Sequence, residues 1–500
     1  MQDASITDRN LPANARTSVL ALVLGPIAAA CVYFLPIPHL PPHAHFLAAI
    51  LTWVVLYWIA EPIPLPVTAL LGTAFCVLAG LGTAKGIFAS YGHPIIFLFI
   101  GSFLIAEAMV VHGVDRKVAE WMLSLSWVGA RPSRILLALG AVTAAMSMWI
   151  SNTAATAMML PIGLGVLGTL QRNRVNHGHH HTAFMLMLSY AATAGGMATI
   201  VGTPPNLIGV GLIAEQAGMT ISFVTWMTFG LPLALAMLLC AGLLLSRFNP
   251  GQSTNAAYAA DEATLPETAA TSGWTQGQIN ACIAFGVAVV LWIVPGALEA
   301  LLGSEHSLIV SLNAHLPNEL VALLAAGLLF LLPTDLGTGA FTLNWKQAAN
   351  INWGIILLFG GGLAFGDLMT KTGLSDAIGL GFVNLFGTSN IWSLTAVAIL
   401  AGVLISELAS NTASAAMLIP LVIAIAQADG VSAVVPALGA CLGASLGFAL
   451  PVSTPPNAIV YGTGLISMRS MIRAGVIFDI VGAILIWIVL RIVSPLVGLI

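Results

Sequence analysis

A run of three polar residues occurs twice inside otherwise apolar stretches. The sequence Ser-Asn-Thr stands at residues 151–153 and again at residues 410–412. Within a membrane, adjacent hydroxyl and amide groups are costly unless they find partners. Hydroxyl and amide oxygens can bind a hard cation, and the hydrogens of the same groups can bind a carboxylate. The two runs therefore indicate a site for a cation, an anion or both.

Each run belongs to a longer duplicated segment. The segment SNTAATAMMLPI from Ser151 matches SNTASAAMLIPL from Ser410 at a constant offset of 259 residues (410 − 151). Each copy is followed by a second shared motif, Thr-Pro-Pro-Asn, at residues 203–206 and 454–457. We interpret these four polar breaks as one binding site assembled at a pseudo-twofold axis inside a membrane.

Broken helices supply the chemistry that such a site needs. A break exposes carbonyls at one helix end, which favour a cation, and N–H groups at the next helix start, which favour an anion. Proline has no N–H group to donate to the carbonyl four residues earlier in a helix. In a helix, the first proline pair would therefore leave the carbonyls of Ile200 and Val201 without donors. The second pair would do the same to the carbonyls of Pro451 and Val452. Sodium accepts such neutral oxygens. Side-chain oxygens that could complete its shell belong to Ser147, Ser151, Asn152, Ser406 and Asn411.

The anion would be held by hydroxyl and amide groups alone. Candidate donors are Asn152, Thr153, Thr203, Asn411, Thr412 and Thr454. No Lys or Arg lies close to any of the four breaks in the sequence. A bound anion must therefore be balanced by helix dipoles and co-bound cations, which makes cation coupling an expectation. The alternative is that the motifs are only helix caps and kinks; their duplication in the same order favours a site.

The composition decides the class of protein. Of the 500 residues, 58% are hydrophobic and only 7% are charged, whereas soluble domains carry about 25% charged residues. The mean hydropathy of +0.98 agrees. The sequence thus predicts an all-α polytopic membrane protein. The absence of a basic stripe argues against a nucleic-acid partner.

The elements that must position the motifs fall into two similar halves. We predict N-terminal scaffold spans over residues 1–86, a first repeat over 87–248, a polar cytoplasmic linker over 249–276 and a second repeat over 277–500. Two amphipathic pieces, 114–127 and 376–386, are predicted to lie at the membrane interface.

Basic residues predict the orientation, because they concentrate in cytoplasmic loops. If the N-terminus is cytoplasmic and the chain crosses the membrane eleven times, Lys85, Lys371 and Arg491 are the only Lys or Arg residues that do not lie on the cytoplasmic side. This count requires each Ser-Asn-Thr segment to enter and leave on one face, the two from opposite faces, which makes an inverted repeat. Each arm of a hairpin has about 17 residues and is roughly 25 Å long as a helix, which nearly crosses a hydrocarbon core of about 30 Å. Two full spans therefore remain an alternative to each re-entrant hairpin.

The paired motifs resemble those of the divalent-anion/sodium symporter (DASS) family, which carries dicarboxylates, citrate or sulfate; the resemblance runs from about Ile87 to the C-terminus. It implies about eleven transmembrane helices, two re-entrant hairpins with Ser-Asn-Thr at their tips, a homodimer and elevator-type motion. By this resemblance a first sodium site would use Ser147, Ser151, Asn152 and the Gly202 carbonyl. A second would use Ser406, the Ala409 carbonyl, Asn411 and the Ser453 carbonyl. The substrate would contact Asn152, Thr153, Thr203, Asn411, Thr412 and Thr454.

The resulting hypothesis is sodium-coupled uptake of a di- or tricarboxylate, with succinate, malate or fumarate favoured, in a bacterial inner membrane. Sodium would be co-transported, and no organic cofactor is expected. Alternatives are a sodium-independent exchanger, a sulfate transporter and, more remotely, an anion channel. An enzyme is not expected: HExxH does not occur, and GxSxG occurs only at residues 443–447, inside a long apolar run and not in a turn after a strand. Glu407, three residues before the second Ser-Asn-Thr, could tune cation affinity or contact the scaffold. The histidines at 177 and 179–181 could sense a metal, although a solvated loop is the simpler interpretation.

Overall fold

The computed structural model describes residues 13–37, 40–114, 117–118, 132–172, 180–247, 273–303, 305–386 and 390–500. Most of these residues lie in helices, which confirms the predicted class. Most of the first predicted interfacial piece and most of the polar linker lie outside the described residues, as do His177 and His179. His180 and His181 are the first residues of the helix His180–Gly196.

Helices of the first half surround the first pair of motifs. They are α1 (Ala13–Phe34), α2 (Pro42–Ala60), α3 (Leu65–Leu78), α4 (Ala84–Phe88), α5 (Pro94–Val111), α6 (Pro132–Ser147), α7 (Asn152–Arg172), α8 (His180–Gly196), α9 (Pro204–Ala217) and α10 (Phe223–Arg247). A 3-10 turn, Ala89–Gly92, joins α4 to α5.

Helices of the second half follow a similar order. They are α11 (Gln276–Leu302), α12 (Ser307–His315), α13 (Asn318–Leu331), α14 (Trp345–Ala348), α15 (Trp353–Thr372), α16 (Leu374–Phe386), α17 (Ile391–Leu408), α18 (Asn411–Ala428), α19 (Val434–Ala444), α20 (Pro455–Gly462) and α21 (Met468–Val493). The second predicted interfacial piece falls within α16.

Eight stretches of the described residues are long and apolar enough to cross a membrane. They are Pro42–Ala60, Ala84–Val111, Phe223–Ser246, Gln276–Glu299, Trp353–Thr372, Ile391–Leu408, Asn411–Ala428 and Met468–Val493. Shorter apolar helices such as α3, α6, α13 and α19 accompany them. The protein is therefore polytopic, while the predicted count of eleven crossings stays a prediction.

The region between α11 and α15 holds structure that the sequence did not indicate. Helix α11 continues through Pro295 to Leu302. Two short antiparallel strands, β1 (Pro333–Asp335) and β2 (Ala340–Phe341), then form a ribbon. Strands of two or three residues carry too little periodicity to be recognised in sequence.

The four motifs lie within one group of packed helices. In the first half α6 packs on α8, and in the second half α17 packs on α19. Glycine permits both close approaches: a Cβ at Gly195 would lie 2.6 Å from the Ala144 Cα, and one at Gly443 would lie 2.5 Å from the Ile399 carbonyl oxygen. The short helices that follow the proline motifs cross between halves, since α9 packs on α18 and α20 packs on α7. Each half therefore completes the other.

A second group of helices packs beside the first. Within it, α5 packs on α13 and α3 packs on α15. Gly101 of α5 lies directly against the backbone of Ala322, where a Cβ would be 2.5 Å from the Ala322 carbonyl carbon. These helices contribute none of the four motifs.

Candidate functional site

The first hairpin turns between α6 and α7, where the first Ser-Asn-Thr lies. Helix α6 ends at Ser147 and α7 begins at Asn152. The buried Ser147 hydroxyl donates a hydrogen bond to Asn152 Oδ1 over 2.7 Å. The exposed Ser151 hydroxyl accepts from the Ala154 N–H over 3.2 Å, as expected of serine at a helix start. The break thus brings a hydroxyl and an amide oxygen into contact.

The loop between α8 and α9 closes against this tip. Gly196 ends α8 beside the Asn152 side chain, and a Cβ there would lie 3.1 Å from Asn152 Cγ. Gly202 packs against the Gly196 carbonyl: a Cβ at Gly202 would lie 2.5 Å from the Gly196 carbonyl oxygen. Asn206 Nδ2 donates to the carbonyls of Gly196 (2.8 Å) and Thr199 (2.7 Å). Ser147, Asn152 and Gly202 are therefore linked through Gly196.

The second hairpin repeats the serine–asparagine contact between α17 and α18. The buried Ser406 hydroxyl lies 2.6 Å from Asn411 Oδ1. The same hydroxyl also lies within hydrogen-bond distance of the Ala444 and Leu446 carbonyls, at 2.8 and 2.6 Å. Asn411 Nδ2 donates to the Ser445 carbonyl over 3.1 Å. Several neutral oxygens thus converge on one hydroxyl.

The loop between α19 and α20 completes this second cluster. Gly447 has φ +145°, a conformation that side chains rarely adopt, and a Cβ there would meet Ser406 Oγ (3.3 Å), Ser453 Cβ (3.3 Å) and Asn411 Oδ1 (3.5 Å). Asn457 Nδ2 donates to the carbonyls of Gly447 and Leu450, both over 2.9 Å. Ser406, Asn411 and Ser453 therefore surround one glycine.

The two clusters correspond residue by residue. The serine–asparagine pairs match at an offset of 259 (406 − 147). Asn206 and Asn457 match at an offset of 251 (457 − 206), and the two carbonyls that each of them binds match at the same offset. The duplication seen in the sequence is thus also a duplication of hydrogen-bond geometry.

The proline motifs act differently from the expectation based on their missing N–H groups. Helices α9 and α20 begin at Pro204 and Pro455, so the prolines occupy the first helical turn. There the missing N–H costs nothing and the fixed φ suits a helix start. The prediction that they interrupt a helix and free the carbonyls four residues earlier was wrong. Those carbonyls belong to loops, and the motif supplies a helix N-terminus.

The remaining candidate residues lie around the clusters in different settings. Thr203 and Thr454 are buried at the starts of α9 and α20, and the Thr454 hydroxyl accepts from the Asn457 N–H over 3.4 Å. Ala409 is buried in extended backbone between α17 and α18. Thr153 is exposed and Thr412 half-buried, each in the first turn of its helix. Both are free to meet a ligand.

Side-chain contacts also connect the two halves. The Ser189 hydroxyl of α8 donates to Asn457 Oδ1, and the Cys441 thiol of α19 donates to the Pro205 carbonyl over 3.1 Å. Four helices, α7, α9, α18 and α20, begin at these motifs. Their N-termini offer N–H groups and positive dipole ends to an anion.

Sequence reasoning missed the structural role of two asparagines and left that of Glu407 open. Asn206 and Asn457 stand inside the duplicated motif, so their duplication was a usable signal. Glu407 binds the loop of the second cluster: its carboxylate accepts from the N–H groups of Ala449 (2.9 Å) and Leu450 (3.2 Å) and from the Ser453 hydroxyl (2.7 Å). It therefore contacts a backbone loop beside the candidate cation ligands.

Paired hairpins with polar tips inside a polytopic helical bundle are typical of secondary membrane transporters. Comparisons with known proteins agree. The family model described as the sodium:sulfate symporter transmembrane region matches residues 16–499. The chain therefore belongs to the divalent-anion/sodium symporter family and is a transporter rather than an enzyme.

Individual relatives cover almost the whole chain. The sodium-dependent dicarboxylate transporter SdcS of Staphylococcus aureus is 31% identical over 496 residues, covering 96% of this chain and 92% of its own. An uncharacterised transporter of Haemophilus influenzae is 32% identical over 448 residues, covering 89% of this chain and 91% of its own. The crystal structure of the YdaH transporter of Alcanivorax borkumensis, described as having an unusual topology, aligns with a TM-score of 0.56 at 12% identity, covering 96% of this chain and 98% of its own. That likeness concerns the fold alone.

Proposed function

We propose that this protein is a symporter that couples the uptake of a di- or tricarboxylate to sodium, with succinate, malate or fumarate as substrate. The proposal places it in a bacterial inner membrane, with a cytoplasmic N-terminus and an elevator-type motion within a homodimer. The observation that carries it is the repeated contact between a serine hydroxyl and an asparagine amide oxygen at each hairpin tip, closed by a loop of backbone carbonyls.

The chemistry of these clusters suits sodium. Each cluster offers neutral oxygens from hydroxyl, amide and carbonyl groups, the ligands that a hard monovalent cation accepts. The proposed first site uses Ser147, Ser151, Asn152 and the Gly202 carbonyl. Because the Ser151 hydroxyl accepts the Ala154 N–H, its remaining lone pair is the one open to a cation. The proposed second site uses Ser406, the Ala409 carbonyl, Asn411 and the Ser453 carbonyl.

The environment of the clusters makes the anion depend on the cation. Residues 135–171, 175–246 and 372–468 contain no Lys or Arg, and these ranges include all four motifs. A dianion would therefore meet helix N-termini, hydroxyls and amides, with bound sodium as the countercharge. The proposed substrate contacts are Asn152, Thr153, Thr203, Asn411, Thr412 and Thr454. The name of the staphylococcal relative supports a dicarboxylate over sulfate.

The test is uptake of radiolabelled succinate into proteoliposomes under an inward sodium gradient. We expect Asn152→Ala and Asn411→Ala each to abolish sodium-driven uptake, since each removes an amide oxygen held by a serine and an amide donor. Asn350→Ala is the control, because Asn350 is exposed and far from the motifs in sequence. Near-normal uptake by both site variants, at wild-type protein levels, would overturn the site assignment.

The same assay separates the other candidate functions. Uptake driven only by internal dicarboxylate and indifferent to sodium would indicate an exchanger. Competition by sulfate but not by succinate or citrate would indicate a sulfate transporter. A steady succinate current without sodium would indicate a channel.

A further inference from the structure

The last turn of α9 reaches across to the second group of helices. Helix α9 begins at a proline motif and packs mainly on α18 and α19, so it belongs to the group of helices that carries the motifs, the motif group. Near its end, Glu215 Oε2 lies 3.4 Å from His93 Nε2. His93 immediately precedes α5, which packs on α13 in the second group. An acidic side chain of one group thus contacts a histidine of the other.

The start of α5 holds the His93 ring in place. His93 Nδ1 accepts from the Ile95 N–H over 3.4 Å. Because Nδ1 is the acceptor, the neutral ring carries its proton on Nε2, the atom that faces Glu215. The imidazole can therefore donate to the carboxylate without gaining a second proton, and the contact does not depend on low pH.

Before this turn, glycines form the boundary between the two groups. A Cβ at Gly211 of α9 would lie 2.6 Å from Phe359 Cζ in α15 and 3.3 Å from Ile95 Cγ2 in α5. Further along α15, a Cβ at Gly362 would lie 3.5 Å from the Ala416 Cβ of α18. Glycine carries no side chain that could interlock with the facing helix. These surfaces can therefore slide past each other without a side chain first leaving a pocket.

The residue next to Glu215 favours separation of the groups. The Gln216 side-chain amide nitrogen lies against Gly366 of α15, where it would overlap a Cβ. This nitrogen is buried and has no hydrogen-bond partner among the described residues. A buried donor without an acceptor is costly, and water would reach it once the groups separate. The contact between His93 and Glu215 acts in the opposite direction at the same helix end.

We propose that His93 and Glu215 form a latch, which holds the two groups in the arrangement seen here and opens once in each transport cycle. The inference rests on the proposed elevator-type motion and names a contact that this motion must break. The side chains are 23% and 47% exposed, and a contact of this kind shifts an equilibrium by about fivefold at most. A latch of that strength favours one arrangement and still opens readily.

The first experiment links the two positions covalently in the full-length protein. His93→Cys and Glu215→Cys are combined in a background without the five native cysteines and joined by a short bis-methanethiosulfonate reagent, which forms a disulfide with each thiol. We expect sodium-driven succinate uptake into proteoliposomes to fall to background and to return when a reductant cleaves the link. The linked protein should still bind succinate in the presence of sodium.

The matched control is a link that stays within one half of the molecule. Trp392→Cys and Arg491→Cys replace two side chains in contact, since the Arg491 guanidinium lies 4.2 Å from the centroid of the Trp392 ring. Their helices, α17 and α21, pack on each other and on α19. The same reagent at this pair should leave uptake at its value before linking.

The second experiment measures the opening without any link. Ile95 is only 8% exposed and lies under Gly211 of α9, so a cysteine in its place reacts with a maleimide when the groups separate. Glu215→Ala should raise the labelling rate of Ile95→Cys by about two- to fivefold, because the closed arrangement loses the latch. Glu305→Ala, which removes an exposed acidic side chain between α11 and α12, should leave the labelling rate unchanged.

Either of two results would overturn the latch. One is uptake by the linked His93→Cys/Glu215→Cys protein at its rate before linking, and the other is an unchanged labelling rate of Ile95→Cys after Glu215→Ala. If the double cysteine variant does not fold, the labelling rates decide alone, because Glu215→Ala removes only an exposed side chain. Failure of the proposed function is a different result, namely no sodium-driven uptake by the cysteine-free protein before any link is made.

Discussion

Each loop that follows α8 or α19 is closed by one asparagine side chain. Asn206 and Asn457 are fully buried, and each donates from Nδ2 to two loop carbonyls. Carbonyls in an apolar interior must find donors, and a loop without regular structure supplies few. Each asparagine therefore fixes the shape of its loop, and these loops also contain the Gly202 and Ser453 carbonyls that are proposed to bind sodium.

At the scale of the residue, we predict that Asn206→Ala weakens both the fold and transport. The change leaves the Gly196 and Thr199 carbonyls without their side-chain donor, which costs about 2 kcal/mol or more. The thermal unfolding midpoint of the purified protein should fall. Uptake should fall by about tenfold, the factor that about 1.4 kcal/mol represents.

Asn350→Ala is again the matched change, because this exposed residue offers its side chain to no described partner. It should leave the midpoint and uptake at the wild-type values. Wild-type stability and uptake in Asn206→Ala would contradict the role assigned to the amide.

At the scale of the element, the end of one helix is shaped by the hairpin that it meets. Helix α8 ends at Gly196, directly against the Asn152 side chain, and the following loop returns so that Gly202 lies on the Gly196 carbonyl. A side chain at Gly196 would occupy the space of the Asn152 amide. The helix end and the hairpin tip thus depend on each other.

We predict that Gly196→Ala raises the sodium concentration for half-maximal uptake by at least several-fold. The added methyl group would overlap the Asn152 amide, which must then move away from Ser147. The measurement is the sodium dependence of succinate uptake at saturating succinate.

The matched change is Gly286→Ala in α11, where a Cβ meets nothing within 4 Å. Since alanine favours helix by about 1 kcal/mol over glycine, this variant should be as stable as the wild type or more so, with unchanged sodium dependence. An equal and normal sodium dependence in the two variants would show that Gly196 does not position Asn152.

At the scale of the whole molecule, the two halves are interleaved. Helix α9 of the first half packs on α18 of the second, and α20 of the second packs on α7 of the first. Each half therefore supplies a helix that packs on the hairpin of the other half. The inverted orientation of the halves, with hairpins entering from opposite faces, stays a prediction from the placement of basic residues.

We predict that Ser133→Cys and Ser393→Cys react with a membrane-impermeant maleimide from opposite sides. Both serines are exposed and lie near the starts of α6 and α17, the first arms of the two hairpins. In a background without the five native cysteines, the first should be labelled from the cytoplasmic side and the second from the other side. Labelling of both from the same side would mean that the halves are not inverted and would exclude the proposed topology.

The sequence by itself determined the class and the duplicated motifs, and the family resemblance assigned a serine and an asparagine to one proposed site in each half. These features depend on composition and on short spacings along the chain: Ser147 stands five residues before Asn152, and Ser406 five before Asn411. A contact of that kind is fixed by one turn between two helices, so it can be predicted from local sequence.

Only the tertiary structure decided what surrounds these motifs. The prolines proved to start helices, because the chain before them forms a loop that folds back onto the hairpin. The hydrogen bond from the Ser189 hydroxyl to Asn457 Oδ1, between residues 268 positions apart (457 − 189), depends on α20 packing against α8. No periodicity or spacing encodes that meeting, since it follows from how distant helices pack.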